Sequence, residues 1–159
     1  MNIHVHRVAC TVGFVLFMGA PFAQGESLSP LRLAPDELTW MPAPTGAYGA
    51  FLVGHPTKPG LYVIRGKFPP NFRVEPHFHP DERISTVLSG TLYVGYGEQF
   101  DESKMRPLPR GSIWTEPAKQ PHFVWAKDGE VIIQVIGNGP SAVIPVQPKQ
   151  RKVKTNIAT

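Results

Sequence analysis

The sequence predicts an all-β fold of short strands, arranged as a sandwich or barrel in one domain. The chain has 159 residues, and its 18 prolines and 15 glycines separate short apolar runs at close intervals. Turn signals at such intervals are typical of all-β sandwiches and barrels. Beyond the N-terminal segment, no long stretch has the 3.6-residue period of an amphipathic helix. A chain of this length is expected to build one hydrophobic core.

Short apolar runs bounded by turn residues are predicted as strands. These runs are residues 38–41, 47–53, 60–67, 73–76, 84–88, 91–97, 112–115, 122–125, 130–136 and 142–146. The dipeptide Ser89-Gly90 and the Lys-Asp-Gly segment 127–129 fit tight hairpin turns. The polar segment 99–105 lies between two strands and is predicted to form a single helical turn.

The first 23 residues have the pattern of a secretory signal peptide. Residues 1–7 are basic, residues 8–20 are apolar, and Ala23 offers a small side chain for cleavage. Because the apolar run is too short to span a bilayer comfortably, the pattern predicts a periplasmic or secreted protein without stable membrane insertion. A buried N-terminal strand is the alternative interpretation. The only cysteine, Cys10, lies in this segment, which excludes disulfides and thiol chemistry from the mature chain.

The formal net charge of +4 is partly due to the C-terminal tail, residues 149–159. The cations of this tail are Lys149, Arg151, Lys152 and Lys154. The tail is interpreted as a solvated end, with contact to anionic lipid or nucleic acid as the alternative. The rest of the mature chain is close to neutral, and no nucleic-acid partner is predicted for it.

Three histidines are the candidate metal ligands. His77 and His79 are two residues apart in a predicted strand, so their rings point to the same side. His122, from a second strand, can complete a site of three nitrogens. Three neutral imidazoles suit a divalent transition metal, and the candidates are zinc, iron, manganese, nickel and copper. The alternative is an exposed histidine pair at a strand end together with a structural histidine.

These histidines lie in two motifs that resemble those of the cupin family. The family's first motif is glycine, five residues, His-x-His, three or four intervening residues, glutamate, six residues and glycine. Its second motif is glycine, five residues, Pro-x-Gly, two residues and histidine. The matching positions are His77, His79 and Gly90 in the first motif, and Gly111, Pro117 and His122 in the second. Asn71 and Lys119 stand where the family has glycines.

The resemblance covers roughly residues 38–148 and implies a single cupin domain, which is a small antiparallel β-barrel or jelly roll. Segments 87–95 and 100–102 look closest to small exported single-domain cupins, which are known as metal-binding proteins. The resemblance further implies a homodimer and a metal held by the three histidines. It does not imply a reaction, because the family carries many chemistries and includes proteins that are not enzymes.

Arg83 stands where the cupin motif has its glutamate ligand. A guanidinium donates no lone pair, and its charge is unfavourable beside a metal cation. Three arrangements are open. Pro80 could end the strand and let Glu82 or Asp81 turn inward; the metal could rest on the three histidines and water; or Arg83 could hold an anionic ligand with no metal present. In the second arrangement, we expect Arg83 to point away from the metal or to be neutralised by a carboxylate such as Asp81 or Glu82.

Other polar residues of the two motifs and of the apolar strands are weaker candidates. Gln134 interrupts an apolar strand, so it either hydrogen-bonds a metal-bound water or a substrate, or is a core amide bonded to the backbone. Glu75 and Glu116 flank the histidines in the sequence and are interpreted as surface residues.

Two functions follow from these residues. The first is a metal-dependent enzyme acting on a small molecule, an oxygenase, hydrolase or isomerase, in which Glu82 or Gln134 orients the substrate or moves a proton. The second is a non-catalytic binding or sensor protein that holds a metal, or a small organic anion through Arg83. The sequence identifies no catalytic residue, metal identity or substrate.

Overall fold

The computed structural model describes residues 27–147, which form two antiparallel sheets. The strands in this part of the chain are β1 Met41–Pro42, β2 Tyr48–Val53, β3 Gly60–Phe68, β4 Phe72–Phe78, β5 Arg83–Ser89, β6 Thr91–Tyr96, β7 Arg106–Pro109, β8 Ile113–Glu116, β9 His122–Ala126, β10 Val131–Gly139 and β11 Ile144–Pro145. Short 3-10 turns occupy Pro35–Glu37 and Glu102–Lys104. The predicted signal peptide and the whole C-terminal tail lie outside the described residues.

One sheet has the strand order β1-β2-β3-β10-β5-β8, and the other has the order β11-β4-β9-β6-β7. The core lies between them, because its buried side chains come from both sheets. The core residues are Tyr62, Val87, Trp114, Val131, Ile133 and Val135 from the first sheet, and Leu92, Val94, Val124 and Ala126 from the second. The all-β prediction is confirmed, and the architecture is that of a jelly roll.

Most predicted strands are present, but β7 was missed. Its sequence, Arg106-Pro107-Leu108-Pro109, contains two prolines, which argue against a strand when only the sequence is read. The strand lies at the edge of its sheet and pairs only with β6, so the missing N–H groups of the prolines interrupt no second ladder. The helical turn predicted for residues 99–105 is present at Glu102–Lys104, where the Asp101 carboxylate accepts a hydrogen bond from the Ser103 N–H.

Asn71 and Lys119, the two residues that replace motif glycines, both have left-handed backbone conformations. Each has a φ of 62°, a value that glycine adopts without steric penalty. Asparagine tolerates this region better than most residues, whereas lysine gains nothing there from its side chain. The Lys119 N–H donates to the backbone carbonyl of His79 at 2.7 Å, so this turn joins the two histidine motifs directly.

Within the described residues, no helix is both long and apolar enough to cross a membrane.

Candidate metal centre

The three predicted histidines lie together at one end of the second sheet. His77 on β4 and His122 on β9 are directly opposed across the two strands, and His79 follows the end of β4. The three side chains are buried, with relative exposures of 7%, 1% and 2% for His77, His79 and His122. Each offers a ring nitrogen, and these nitrogens all lie within 4.8 Å of one another. The three residues are therefore placed where they could hold a metal ion.

Hydrogen bonds to backbone carbonyls orient all three rings. The Nδ1 atoms lie 2.8 Å from the carbonyl oxygen of Glu75 for His77, 2.7 Å from that of Ala142 for His79, and 3.1 Å from that of Gln120 for His122. Because a carbonyl can only accept, each Nδ1 must carry the proton and donate it. In the neutral ring, this leaves the lone pair on Nε2. An outer hydrogen bond of this kind usually fixes the tautomer of a metal-binding histidine.

The surroundings of His77 and His79 keep both rings neutral. Burial is the main cause that lowers the pKa of each from 6.5 to about 4. The neighbouring His122 ring adds to this effect at His77, and the Arg83 guanidinium adds to it at His79. At neutral pH, both rings therefore have the uncharged form that binds a metal without first losing a proton.

The stability of the metal-free protein should fall as the pH drops from about 6.5 to about 4. In this window the unfolded chain protonates His77 and His79, whereas the folded chain does not, so protons favour unfolding. The total loss should be a few kcal/mol, measured as the free energy of urea unfolding at each pH. A His77→Gln/His79→Gln variant should have a flatter profile across this window. An equally steep dependence of the unfolding free energy on pH in that variant would show that His77 and His79 do not cause it.

Glu116 is the main residue that the sequence interpretation placed wrongly. It was expected at the surface, but it is buried at 2% exposure and faces the histidines. Its Oε2 lies 3.4 Å from the Nε2 of His79 and 3.3 Å from that of His122. Its Oε1 accepts a hydrogen bond from the Ser85 hydroxyl at 2.6 Å. One signal could have indicated this position: strand alternation places Glu116 on the same face as Trp114, and an inward tryptophan implies an inward glutamate.

Arg83 points into the domain and pairs with Glu116. The two residues are directly opposed on β5 and β8, and the Arg83 Nε donates to Glu116 Oε2 at 2.8 Å. The Nη2 atom also donates to this oxygen and lies 2.5 Å from the Nε2 of His79. Burial alone would raise the pKa of Glu116, but the His122 ring and the Arg83 charge outweigh it and hold that pKa well below its usual range.

The partner of Arg83 differs from the expected one. Arg83 is neutralised by a carboxylate, but neither Asp81 nor Glu82 provides it. Asp81 accepts a hydrogen bond from the Tyr62 hydroxyl at 2.6 Å, and Glu82 is exposed. Neither carboxylate turns toward the histidines, because β5 begins at Arg83 and its alternation gives the inward position to Arg83 itself.

Gln134 does not join the histidines. On β10, the core side chains are Val131, Ile133 and Val135, so alternation puts Gln134 on the opposite face of the sheet. There, its Oε1 accepts a hydrogen bond from Arg65 Nε at 3.1 Å. Both interpretations of this residue, a pocket amide and a core amide bonded to the backbone, are therefore replaced by a cross-strand pair with Arg65 on β3.

A cleft of about 530 Å³ reaches Arg83 and Glu116. Several of its other lining residues are apolar, among them Leu61, Ile84 and Ile136. These three side chains are exposed and alternate with the inward residues of their strands, so the cleft lies on the outer face of the first sheet and borders the Arg83–Glu116 pair.

No protein-family model matches the chain. A germin-like protein of Oryza sativa subsp. japonica is 36% identical over 67 residues, which are 40% of this chain and 30% of that protein. The chain thus matches less than a third of this relative's length. The solved structure of the polyketide cyclase RemF from Streptomyces resistomycificus is similar, with a TM-score of 0.62 at 17% identity over 77% of this chain and 89% of that one.

An RmlC-like cupin from Shewanella frigidimarina NCIMB 400 is also similar, with a TM-score of 0.56 at 15% identity over 70% of this chain and 93% of that one. Identities this low establish a shared fold and leave the activity open. The same fold was implied by the two histidine motifs, which the structure brings together around His77, His79 and His122. The chain therefore has the fold of the cupin proteins.

Proposed function

We propose that His77, His79 and His122 bind a divalent transition metal, and that the metal acts on a small molecule. The convergence of three Nε2 lone pairs carries this proposal, because the backbone carbonyls that accept from Nδ1 hold each ring in the required tautomer. Neutral imidazole nitrogens are ligands that zinc, iron, manganese, nickel and copper accept to different degrees.

The donor set fits a metal that keeps open positions. Three protein ligands are typical of catalytic metal sites, in which the metal polarises a bound oxygen or activates water. The buried side chains of this protein would hold the metal and exclude bulk water from it. A site of this kind suits an oxygenase, hydrolase or isomerase acting on a small molecule.

Metal analysis of the purified mature protein tests the metal proposal. We expect a single divalent ion per chain after reconstitution and removal of loosely bound metal, and saturable binding in an equilibrium titration. Absence of any saturable binding of zinc, iron, manganese, nickel or copper would overturn the proposal.

A second candidate is a non-catalytic protein that binds a small organic anion through Arg83, which lines the cleft. The ion pair with Glu116 weighs against it, because a neutralised guanidinium attracts an external anion only weakly. Tight binding of a small carboxylate by the metal-free protein, lost in Arg83→Met, would favour this candidate over the enzyme.

Two expectations about the whole protein are retained as proposals. The first is a homodimer, which exposed apolar residues of the first sheet, including Met41, Phe51 and Ile113, would help to stabilise. A strictly monomeric mass in sedimentation equilibrium would contradict it. The second is export with removal of residues 1–23. An intact mass that includes those residues in the periplasmic or secreted protein would contradict this cleavage.

A further inference from the structure

We propose that Glu116 on β8 is the carboxylate ligand of the metal, in place of the glutamate ligand expected on β5. The Arg83 guanidinium is then an internal cation, which the metal displaces from the Glu116 carboxylate. This inference rests on the proposed function, because it concerns a fourth ligand of the same site. It assigns a role to both members of a buried ion pair that the three-histidine site leaves unexplained.

The position of Glu116 Oε2 is the first support. This oxygen lies 3.3 and 3.4 Å from the Nε2 atoms of His122 and His79. In the neutral form that binds a metal, the His79 and His122 rings carry their proton on Nδ1, which donates to a carbonyl, and each presents only a lone pair at Nε2. The carboxylate oxygen and the two nitrogen lone pairs are all electron-rich acceptors. Their close approach is energetically favourable only when a positive charge lies among them.

The direction of the carboxylate is the second support. Ser85 holds Oε1 by a hydrogen bond of 2.6 Å, and this bond leaves Oε2 turned toward the histidines. Ser85 is fully buried, so the hydroxyl is fixed by its surroundings. An orienting hydrogen bond to one carboxylate oxygen is a common feature of carboxylates that bind a metal through the other.

Arg83 supplies the positive charge in the structure described here. Its Nη2 contacts both Glu116 Oε2 and His79 Nε2, so the guanidinium occupies part of the space between two of the ligands. A divalent cation provides twice its charge and accepts lone pairs directly, which a guanidinium cannot do. The Arg83 side chain is 12% exposed, so it is not fully enclosed and has room to move when the metal binds.

The test compares cobalt(II) binding by wild type, Glu116→Gln and Arg83→Met. Loss of the carboxylate should lower affinity by about tenfold or more and change the visible absorption spectrum of bound cobalt, because a ligand atom is replaced. Removal of the competing guanidinium should raise affinity. Glu82→Gln, which removes an exposed carboxylate near the same cleft, is the matched control and should change neither quantity.

The spectrum distinguishes ligation from a purely electrostatic effect. If Glu116→Gln lowers affinity but leaves the cobalt spectrum unchanged, Glu116 acts only through its charge and the inference is wrong. Lower affinity in Arg83→Met would also overturn it. Should Glu116→Gln fail to fold, the double variant Arg83→Met/Glu116→Gln removes the unpaired buried charge and is compared with Arg83→Met alone. If wild type binds no metal, the proposed function itself fails, which is a separate outcome.

Discussion

Substitution of any one of His77, His79 and His122 by alanine should weaken metal binding by about two to three orders of magnitude. Structural zinc sites with four ligands have apparent binding free energies of roughly 10–16 kcal/mol, so one ligand accounts for about 3–4 kcal/mol. Each tenfold change in affinity corresponds to about 1.4 kcal/mol. The three substitutions should have similar effects, because all three nitrogens belong to one cluster and all three rings are held by backbone carbonyls.

The measurement is a competitive titration of each variant against a chromophoric chelator. His55→Ala is the matched control, because His55 lies outside the cluster and its Nδ1 contacts the Thr57 hydroxyl. That variant should bind metal as wild type does. A triple alanine variant that kept the metal content of wild type after chelator dialysis would refute the assignment of all three ligands.

Substitution of Glu116 by alanine should destabilise the metal-free protein by about 3 kcal/mol or more. The change leaves the Arg83 guanidinium without its counter-ion at a position where its side chain is only 12% exposed. Removing one partner of a buried ion pair typically costs about 3–5 kcal/mol, because the remaining charge stays desolvated and unpaired. Ser85 also loses its acceptor, which adds to the loss.

A double-mutant cycle checks this explanation by urea unfolding. The variant Arg83→Met/Glu116→Ala contains no unpaired charge, so it should be more stable than Glu116→Ala alone. Lys104→Met, which breaks the exposed pair with Asp101, should leave the free energy of unfolding almost unchanged. Additive losses from Arg83 and Glu116 would mean that the two side chains do not stabilise each other.

The three histidines could be identified from the sequence because their signal is local. A His-x-His spacing puts two rings on one face of a strand, and the position of His122 after Gly111 and Pro117 marks the second motif. The inward position of Arg83 follows from the same alternation. Turn residues were also sufficient to predict the strands, except for β7. The two prolines of this edge strand give it a sequence typical of a loop.

The contacts that surround these residues in space could not be predicted from local spacing in the sequence. Arg83 and Glu116 are 33 residues apart in the chain and meet only because β5 pairs with β8 in one particular register. A shift of one residue would turn Glu116 to the other face of its strand. Gln134 shows the converse case, since its apolar neighbours suggested a buried amide, whereas the packing of β10 turns it outward to Arg65.

By itself, the sequence determined an all-β fold of the cupin type and three histidines that lie together, because both depend on spacing within single strands and turns. The tertiary structure decided which charged groups surround those histidines. It placed the Glu116 carboxylate beside them and the Arg83 guanidinium between that carboxylate and His79. The physical reason is that electrostatic contacts across a sheet depend on strand order and register, and these are set by the packing of the whole core.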